Sequence, residues 1–276
     1  LSKELTDYFD AYKQEKMRNI VSSDFLEKVE KYAVSRDYNR LRTRDELIAN
    51  INRDGTYLCW IDALGVEYLS FIVEGAKARG LMVAVNIGRA NLPTITSVNN
   101  KFYYDWPEEH REKIEELDEI KHKDKGGYKY GPNNKYPIHL AEELAVLSYA
   151  LDRAAVELAL RKYDRFIIAS DHGASRLAVI SNIEEKYETD TRGEHSGRCC
   201  KKFDNYDLKF STEENGFIVL ANYGRFRGSR AANVEVHGGA SLEEVVVPVI
   251  ELTLADSSMQ VALSDKNIVS DYKDGA

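Results

Sequence analysis

Residues 166–177 read FIIASDHGASRL, and the break in this stretch decides how the fold is interpreted. An apolar run of strand length stops at Asp171 and His172, and Gly173 follows at once. In an open parallel sheet the loops at the carboxyl ends of the strands converge on one crevice, where ligands gather. The pair is therefore interpreted either as two metal ligands at a sheet edge or as a simple polar turn.

The pattern around this stretch predicts an α/β fold with helices on both faces of a mostly parallel sheet. Short apolar runs such as LMVAVNI (81–87), GFIVLA (216–221) and EVVVPVIELTL (244–254) have the length of strands. Segments with helical spacing, such as 66–80 and 143–163, separate several of these runs. Residues 1–50 are amphipathic and predict a helical lead-in, with SSDF (22–25) as an N-cap. We expect one domain over residues 1–276.

Residues 105–136 interrupt this alternation. They predict a charged helix followed by a loop rich in Lys, Tyr and Gly, which resembles a cap inserted over the sheet edge. One interpretation is a solvated surface helix with a loop. The other is a recognition element for an anionic substrate such as a nucleotide, because aromatic rings stack on bases and lysines pair with phosphates. The cap would supply Lys121, Lys123, Lys125, Lys129 and Lys135 to such a substrate, and Lys123, Lys125 and Lys129 are the lysines proposed for direct contact.

Composition limits the classes of function. With 276 residues, 43% of them hydrophobic, the chain can bury a sizeable core. Its net charge of −8 argues against coating nucleic acid by bulk electrostatics. The apolar runs are too short to span a bilayer, so no membrane partner is expected. The first residue is Leu1 and no signal-peptide pattern follows, which suggests a fragment of a longer cytoplasmic protein with three mostly structural thiols.

Three separate strand ends carry acids or imidazoles. Asp62 follows TYLCWI, Asp171 and His172 follow FIIAS, and His237 lies in EVHGGASLEE. A single Asp at a strand end is more often a helix N-cap, and a single His is more often a hydrogen-bonded structural residue. Taken together, mixed oxygen and nitrogen donors favour zinc, with manganese as the alternative, and one or two ions are expected.

The loop LPTITS (92–97), which follows the strand LMVAVNI, contains the candidate nucleophiles. Thr94, Thr96 and Ser97 offer hydroxyl groups there, and a threonine oxygen can attack phosphorus. The other interpretation is a hydroxyl that caps the next helix. The residues alone do not choose between these alternatives.

The order of these elements resembles the alkaline phosphatase superfamily. Within it, SDHGASRLAVI (170–180) and HGGASLEEVVVPVI (237–250) are similar to the signatures of the PglZ domain family of BREX-type phage-defence systems. The pattern covers residues 56–252, without the first fifty residues and the last twenty or so. The resemblance implies a three-layer α/β/α sandwich with a metal-dependent phosphatase or phosphodiesterase site.

The resemblance also implies roles for individual residues. The first metal would be bound by Asp62, Thr96, Asp171 and His172. The second would be bound by His237 with an acid and a His from a DxxxH segment; KYPIHLAEEL (135–144) offers His139, but Lys135 stands at the position of the acid, so Glu142 or Glu143 would substitute. Related phosphodiesterases that read PTxT use the second threonine, which favours Thr96 over Thr94 as the nucleophile.

Two further residues are candidates for substrate contact. Arg176 follows SDHGAS and could hold a phosphate, with a surface salt bridge as the alternative role. His195 lies in a loop rich in Arg and Lys. The expected function is a phosphoesterase acting on a nucleotide or nucleic acid in phage defence. The alternative, favoured by Lys135, is a catalytically weak or inactive module that docks other subunits of a defence complex.

Overall fold

A five-stranded mixed sheet organises the chain, which a computed structural model describes at residues 2–122, 139–188, 197–228, 232 and 234–255. Its elements follow in this order: α1 (Lys3–Arg18), α2 (Ser23–Ser35), α3 (Arg44–Ala49), β1 (Thr56–Ile61), α4 (Leu69–Ala78), β2 (Leu81–Arg89), α5 (Thr96–Asn99), α6 (Lys101–Tyr104), β3 (Arg111–Ile114), α7 (Glu116–His122), α8 (Leu140–Ala159), β4 (Arg165–Ala169), α9 (Arg176–Ser181), β5 (Ile183–Glu188), β6 (Cys199–Lys201), β7 (Ser211–Glu214), β8 (Phe217–Leu220), β9 (Gly224–Arg227), α10 (Leu242–Val245) and β10 (Val246–Leu254).

The strands of the central sheet lie in the order β2-β10-β4-β1-β3. β1 is parallel to both β3 and β4, whereas β10 runs antiparallel to both β2 and β4. β2, β4, β1 and β3 therefore share one direction, which agrees with the prediction of a mostly parallel sheet, and β10 is the reversed strand. Two small sheets, β5-β9 and β6-β8-β7, lie outside the central sheet.

Helices cover both faces of the central sheet. Successive residues of a strand point to opposite sides, and in β1 both sets are apolar and buried, so each face needs a covering layer. Cys59 and Ile61 of β1 pack in a cluster with α4 and α8, and Leu58 and Trp60 pack in another cluster with α3 and α6. Near the middle of α4, Gly75 permits close packing, since a Cβ there would lie 2.8 Å from Leu151 of α8. The predicted α/β class is confirmed.

The predicted helical lead-in is confirmed as α1, α2 and α3. Ser22 caps α2 by accepting a hydrogen bond from the backbone of Phe25, as the SSDF pattern predicts. Thr43 and Glu46 form a capping box at α3. The three helices pack onto the body of the protein, and Tyr8, Phe9 and Tyr12 of α1 join a core cluster with α9 and α10.

The prediction of a helix from residue 105 is wrong for Arg111–Ile114, which forms the edge strand β3 beside β1. Charged residues on a short edge strand hinder pairing with another chain, and they also hide the strand pattern. α7 follows directly. Lys123, Lys125 and Lys129 of the predicted cap, and also His195, lie outside the described residues. None of the described helices is both long enough and apolar enough to cross a membrane.

The packing of α8 on the sheet gives a direct test of this fold. Leu151 is fully buried against α4 and the sheet, so Leu151→Ala should lower the free energy of unfolding by about 2–5 kcal/mol. Val156 lies on the same helix but is 56% exposed, and Val156→Ala should change stability by less than about 0.5 kcal/mol. Urea denaturation of both variants measures the difference, and equal effects would contradict the packing of α8.

Candidate metal centre

The parallel pairing of β1 with β4 brings two strand ends together. Trp60 is in register with Ala169, so Asp62 and Asp171 emerge side by side at the same edge of the sheet. The Asp62 Oδ1 and Asp171 Oδ2 atoms lie 3.7 and 3.2 Å from His172 Nε2. All three side chains are buried, and they form a group that could hold a metal ion.

Asp171 is held by hydrogen bonds on both carboxylate oxygens. Its Oδ1 accepts from the indole N–H of Trp60 at 3.1 Å and from the backbone N–H of Ala63 at 3.3 Å. Its Oδ2 accepts from the hydroxyl of Thr96 at 2.8 Å. The buried guanidinium of Arg44 donates to the carbonyls of Ser170 and Asp171 and so holds the backbone of the loop that follows β4. These hydrogen bonds fix the orientation of the Asp171 carboxylate without a bound ligand.

The sequence SDHG is explained by tight packing at the end of β4. The Nδ1 of His172 donates to the carbonyl of Gly173 at 3.0 Å, and this contact turns Nε2 toward the carboxylates of Asp62 and Asp171. A Cβ at Gly173 would lie 2.0 Å from the carbonyl oxygen of Glu243. Only glycine allows this approach, so the turn after β4 packs tightly against α10.

The two threonines of the LPTITS loop have different surroundings. The Thr96 hydroxyl contacts Asp171 and lies 3.4 Å from His172 Nε2. The Thr94 hydroxyl is fully buried, donates to the Gly239 carbonyl at 2.7 Å and accepts from Gly238 N–H at 2.9 Å. The structure therefore brings Thr96 to the acidic group and gives Thr94 a role in holding the loop of His237.

His237 joins the group through the same loop. Its Nδ1 lies 2.8 Å from the carbonyl of Thr94, and its ring stacks on that of His172 with centroids 3.9 Å apart. His237 and His172 form a second potential ligand group with Asp118 of α7. The two groups share His172, so they are contiguous.

Asp118 and His122 are functional candidates that the sequence reasoning missed. They lie four residues apart on α7, a spacing that puts both side chains on one helix face. His122 Nε2 is 3.1 Å from Asp118 Oδ1, and the His122 ring lies 4.8 Å from the His237 ring. The letters DEIKH (118–122) fit the DxxxH pattern that the resemblance implies.

The assignment of His139 and Glu143 to a second metal is not supported. Neither residue belongs to either potential ligand group found among the described residues. Glu143 is buried and accepts a hydrogen bond at 2.7 Å from the Tyr68 hydroxyl. His139 lies immediately before α8 and is buried there.

Arg176 is turned toward α1 in the structure. Its guanidinium donates to the carbonyl of Val234 at 2.7 Å and to the Asn19 side chain at 2.9 Å. These contacts pack α9 against the end of α1 and give no support to a phosphate contact. At 5% exposure, Arg176 is not a surface residue either.

Burial and like charge perturb the acids of the centre. Burial, followed by the negative charge of Asp171, raises the pKa of Asp62 to about 7. Lys113 of β3 offsets part of this effect, with its ammonium 2.7 Å from Asp62 Oδ2. Burial alone would raise the pKa of Asp118, but the contact with His122 and the nearby His237 hold it well below its usual range.

These features fit a divalent cation. Asp62 Oδ1 is buried without a hydrogen-bond partner, although it faces the ring of His172. Such an orphaned oxygen beside a second carboxylate needs a positive partner. Carboxylate and imidazole donors together suit zinc or manganese better than calcium. The buried group of Asp62, Asp171, His172 and His237 could thus hold a metal ion.

Comparison with known proteins gives no further identification. No protein-family model matches the chain, and no curated protein matches it.

The raised pKa of Asp62 predicts a pH dependence of metal binding. The folded protein keeps this proton up to about pH 7, whereas an unfolded aspartate loses it near pH 4. The contribution of Asp62 to stability without metal therefore falls as pH rises between these values. Metal binds the carboxylate, so zinc affinity should rise about tenfold per pH unit below pH 7 through this group.

Calorimetry with Zn²⁺ in buffers of different ionisation enthalpy counts the protons released on binding. Asp62→Asn serves as the control, because it removes the titrating carboxyl while keeping its size. We expect the variant to release one proton fewer at about pH 6. Equal proton release by both proteins would contradict the assignment of Asp62 as a ligand.

Substitution of Asp118 and of Glu143 tests which acid belongs to the second ligand group. Asp118 lies beside His172 and His237, whereas Glu143 accepts a hydrogen bond from Tyr68. Asp118→Asn should weaken or abolish binding of one metal equivalent, since Asp118 lies within reach of His172 and His237. Glu143→Gln should leave the metal content unchanged. Elemental analysis after equilibrium dialysis measures both, and the reverse pattern would restore the assignment made from the sequence.

Proposed function

We propose that the protein is a divalent-metal-dependent phosphoesterase with Thr96 as the nucleophile. The observation that carries this proposal is the Thr96 hydroxyl, which donates to Asp171 at 2.8 Å beside two contiguous ligand groups. A hydroxyl in this place can approach a phosphorus atom whose oxygens are held by the same site. The remaining residues of the centre support the proposal through their charge and donor type.

The residues fall into two sets around His172. Asp62, Asp171 and His172, with the Thr96 oxygen, would hold one ion, and Asp118 and His237, together with His172, would hold a second. When bound, such ions neutralise the charge on phosphoryl oxygens and favour the ionised form of a nucleophilic hydroxyl. Zinc is the favoured ion, and manganese is the alternative.

The chemistry assigned to the chain is a double displacement. The Thr96 oxygen forms a new bond to phosphorus as the bond between phosphorus and the leaving oxygen breaks. The hydroxyl proton leaves along its hydrogen bond to Asp171 and passes on to solvent, so that Asp171 stays ionised, and the leaving alkoxide takes a proton from solvent. Water then hydrolyses the phosphothreonine, releasing phosphate or a phosphomonoester and restoring Thr96.

The wider function is proposed from the sequence motifs. An alkaline phosphatase-type arrangement is part of this proposal, and the support for it is a mostly parallel central sheet with helices on both faces. The resemblance to PglZ domains supports a role in phage defence, with a nucleotide or nucleic-acid phosphoester as substrate and other subunits of a defence complex as partners. Lys123, Lys125 and Lys129 would contact that substrate.

The alternative function, a docking module, was favoured by one residue. Lys135 at the expected position of an acid favoured an inactive centre. Asp118 and His122 now supply an acid and a histidine beside His237. The enzyme is therefore the function that the geometry supports best.

Two neighbouring hydroxyls test this proposal. Thr96→Ala should lower kcat for p-nitrophenyl phosphate or its bis-ester by a factor of about 10³ or more, because the covalent route is lost. Bound metal should remain, since Asp62, Asp171 and His172 are intact. Ser97 is exposed on the same helix, and Ser97→Ala should leave turnover unchanged.

Thr96→Ser completes the series, because a primary hydroxyl occupies the same place with less rotamer restriction. We expect partial activity from it. Full activity in Thr96→Ala, or an equal loss in Ser97→Ala, would contradict a nucleophilic role for Thr96.

A further inference from the structure

We infer that Lys121 is a positioning residue for the proposed metal centre, acting through the three chain segments that carry its ligands. This inference rests on the proposed function. Lys121 lies on α7 between Asp118 and His122, yet its side chain points away from solvent and is fully buried. No step of the proposed reaction uses it.

The Lys121 ammonium contacts segments adjoining two other ligands. It donates to the carbonyl of Ala63, the residue after Asp62, at 3.0 Å. It also lies 3.5 Å from Glu235 Oε2, two residues before His237, and 3.6 Å from Glu67 Oε1. One cation thus joins α7 to the loop after β1 and to the segment of His237.

The backbone of Lys121 reinforces this connection. Its carbonyl accepts a hydrogen bond of 2.9 Å from the N–H of Glu235. The side chain and main chain of a single residue therefore fix α7 against residues 235–237. A displacement of α7 along this contact would move Asp118 and His122 relative to His237, and metal affinity is sensitive to such shifts.

Stability alone is a poor reason for a lysine here. Removing an ammonium from water costs several kcal/mol, and a buried ion pair is often no more stabilising than apolar residues of similar volume. Both carboxylates lie beyond ordinary hydrogen-bond distance from Lys121 Nζ, and neither Glu67 oxygen has a hydrogen-bond partner among the described residues. A buried lysine with such poor ion-pair geometry adds little stability, which favours a role in holding α7 in position relative to residues 235–237.

Lys16 provides a matched control within the same buried network. It lies on α1, is also buried, and forms an ion pair with Glu235. α1 carries none of the proposed ligands. Lys16→Met and Lys121→Met therefore remove the same charge from the same carboxylate, but only the second change releases a ligand-bearing helix.

The test is titration with Co²⁺, followed by calorimetry and by the visible absorption of the bound ion. The wild-type protein should bind two equivalents. Lys121→Met should keep the equivalent held by Asp62, Asp171 and His172, while the other binds about 10–100-fold more weakly with an altered spectrum. Lys16→Met should bind both equivalents with nearly wild-type affinity.

Thermal denaturation without metal accompanies each titration. If Lys121→Met does not fold, Lys121→Met/Glu67→Gln, which removes a buried carboxylate charge together with the lysine, takes its place. Wild-type binding of both ions by a folded Lys121 variant, or equal weakening by Lys16→Met, would overturn the positioning role alone. Failure of the double variant to fold would make Lys121 a structural residue. Absence of Co²⁺ binding by the wild-type protein would overturn the metal centre and this inference together.

Discussion

The site depends on the parallel pairing of β1 with β4. Because the two strands end at the same edge, the chain must place Asp62 and Asp171 next to each other in a buried crevice. Two carboxylates there repel each other, and burial strengthens that repulsion. Lys113 supplies one positive charge from the neighbouring strand. A divalent ion could neutralise the remaining negative charge, because the imidazoles of His172 and His237 lie beside the two carboxylates.

Parts of the chain that are remote in sequence support this crevice. The resemblance to known motifs does not cover the N-terminal helices, yet Arg44 of α3 holds the carbonyls of Ser170 and Asp171. Tyr8 of α1 donates to Glu243 at 2.8 Å, and Ser175 donates to the same carboxylate at 2.6 Å. These contacts join the lead-in helices to both signature segments, so we regard them as part of the site's support.

The sequence predicted the features that depend on local pattern. The apolar runs predicted β1, β2, β4 and β10, and the polar residues after two of these strands marked the crevice. The prediction from sequence failed where the hydrophobic pattern of a segment was weak. β3 is a four-residue edge strand with three charged residues, and its register comes from pairing with β1. Asp118 and His122 look like ordinary surface charges until the contact with His237 is known, although their four-residue spacing was a usable signal. The reversed direction of β10 follows from tertiary connections.

The most direct test of the central claim is a crystal structure of the protein soaked with zinc, with diffraction recorded at the zinc absorption edge. We expect one anomalous peak among Asp62, Asp171, His172 and the Thr96 hydroxyl, and a second beside Asp118 and His237. Absence of both peaks at saturating zinc, with the carboxylates still paired to Lys113 and Thr96, would contradict that claim.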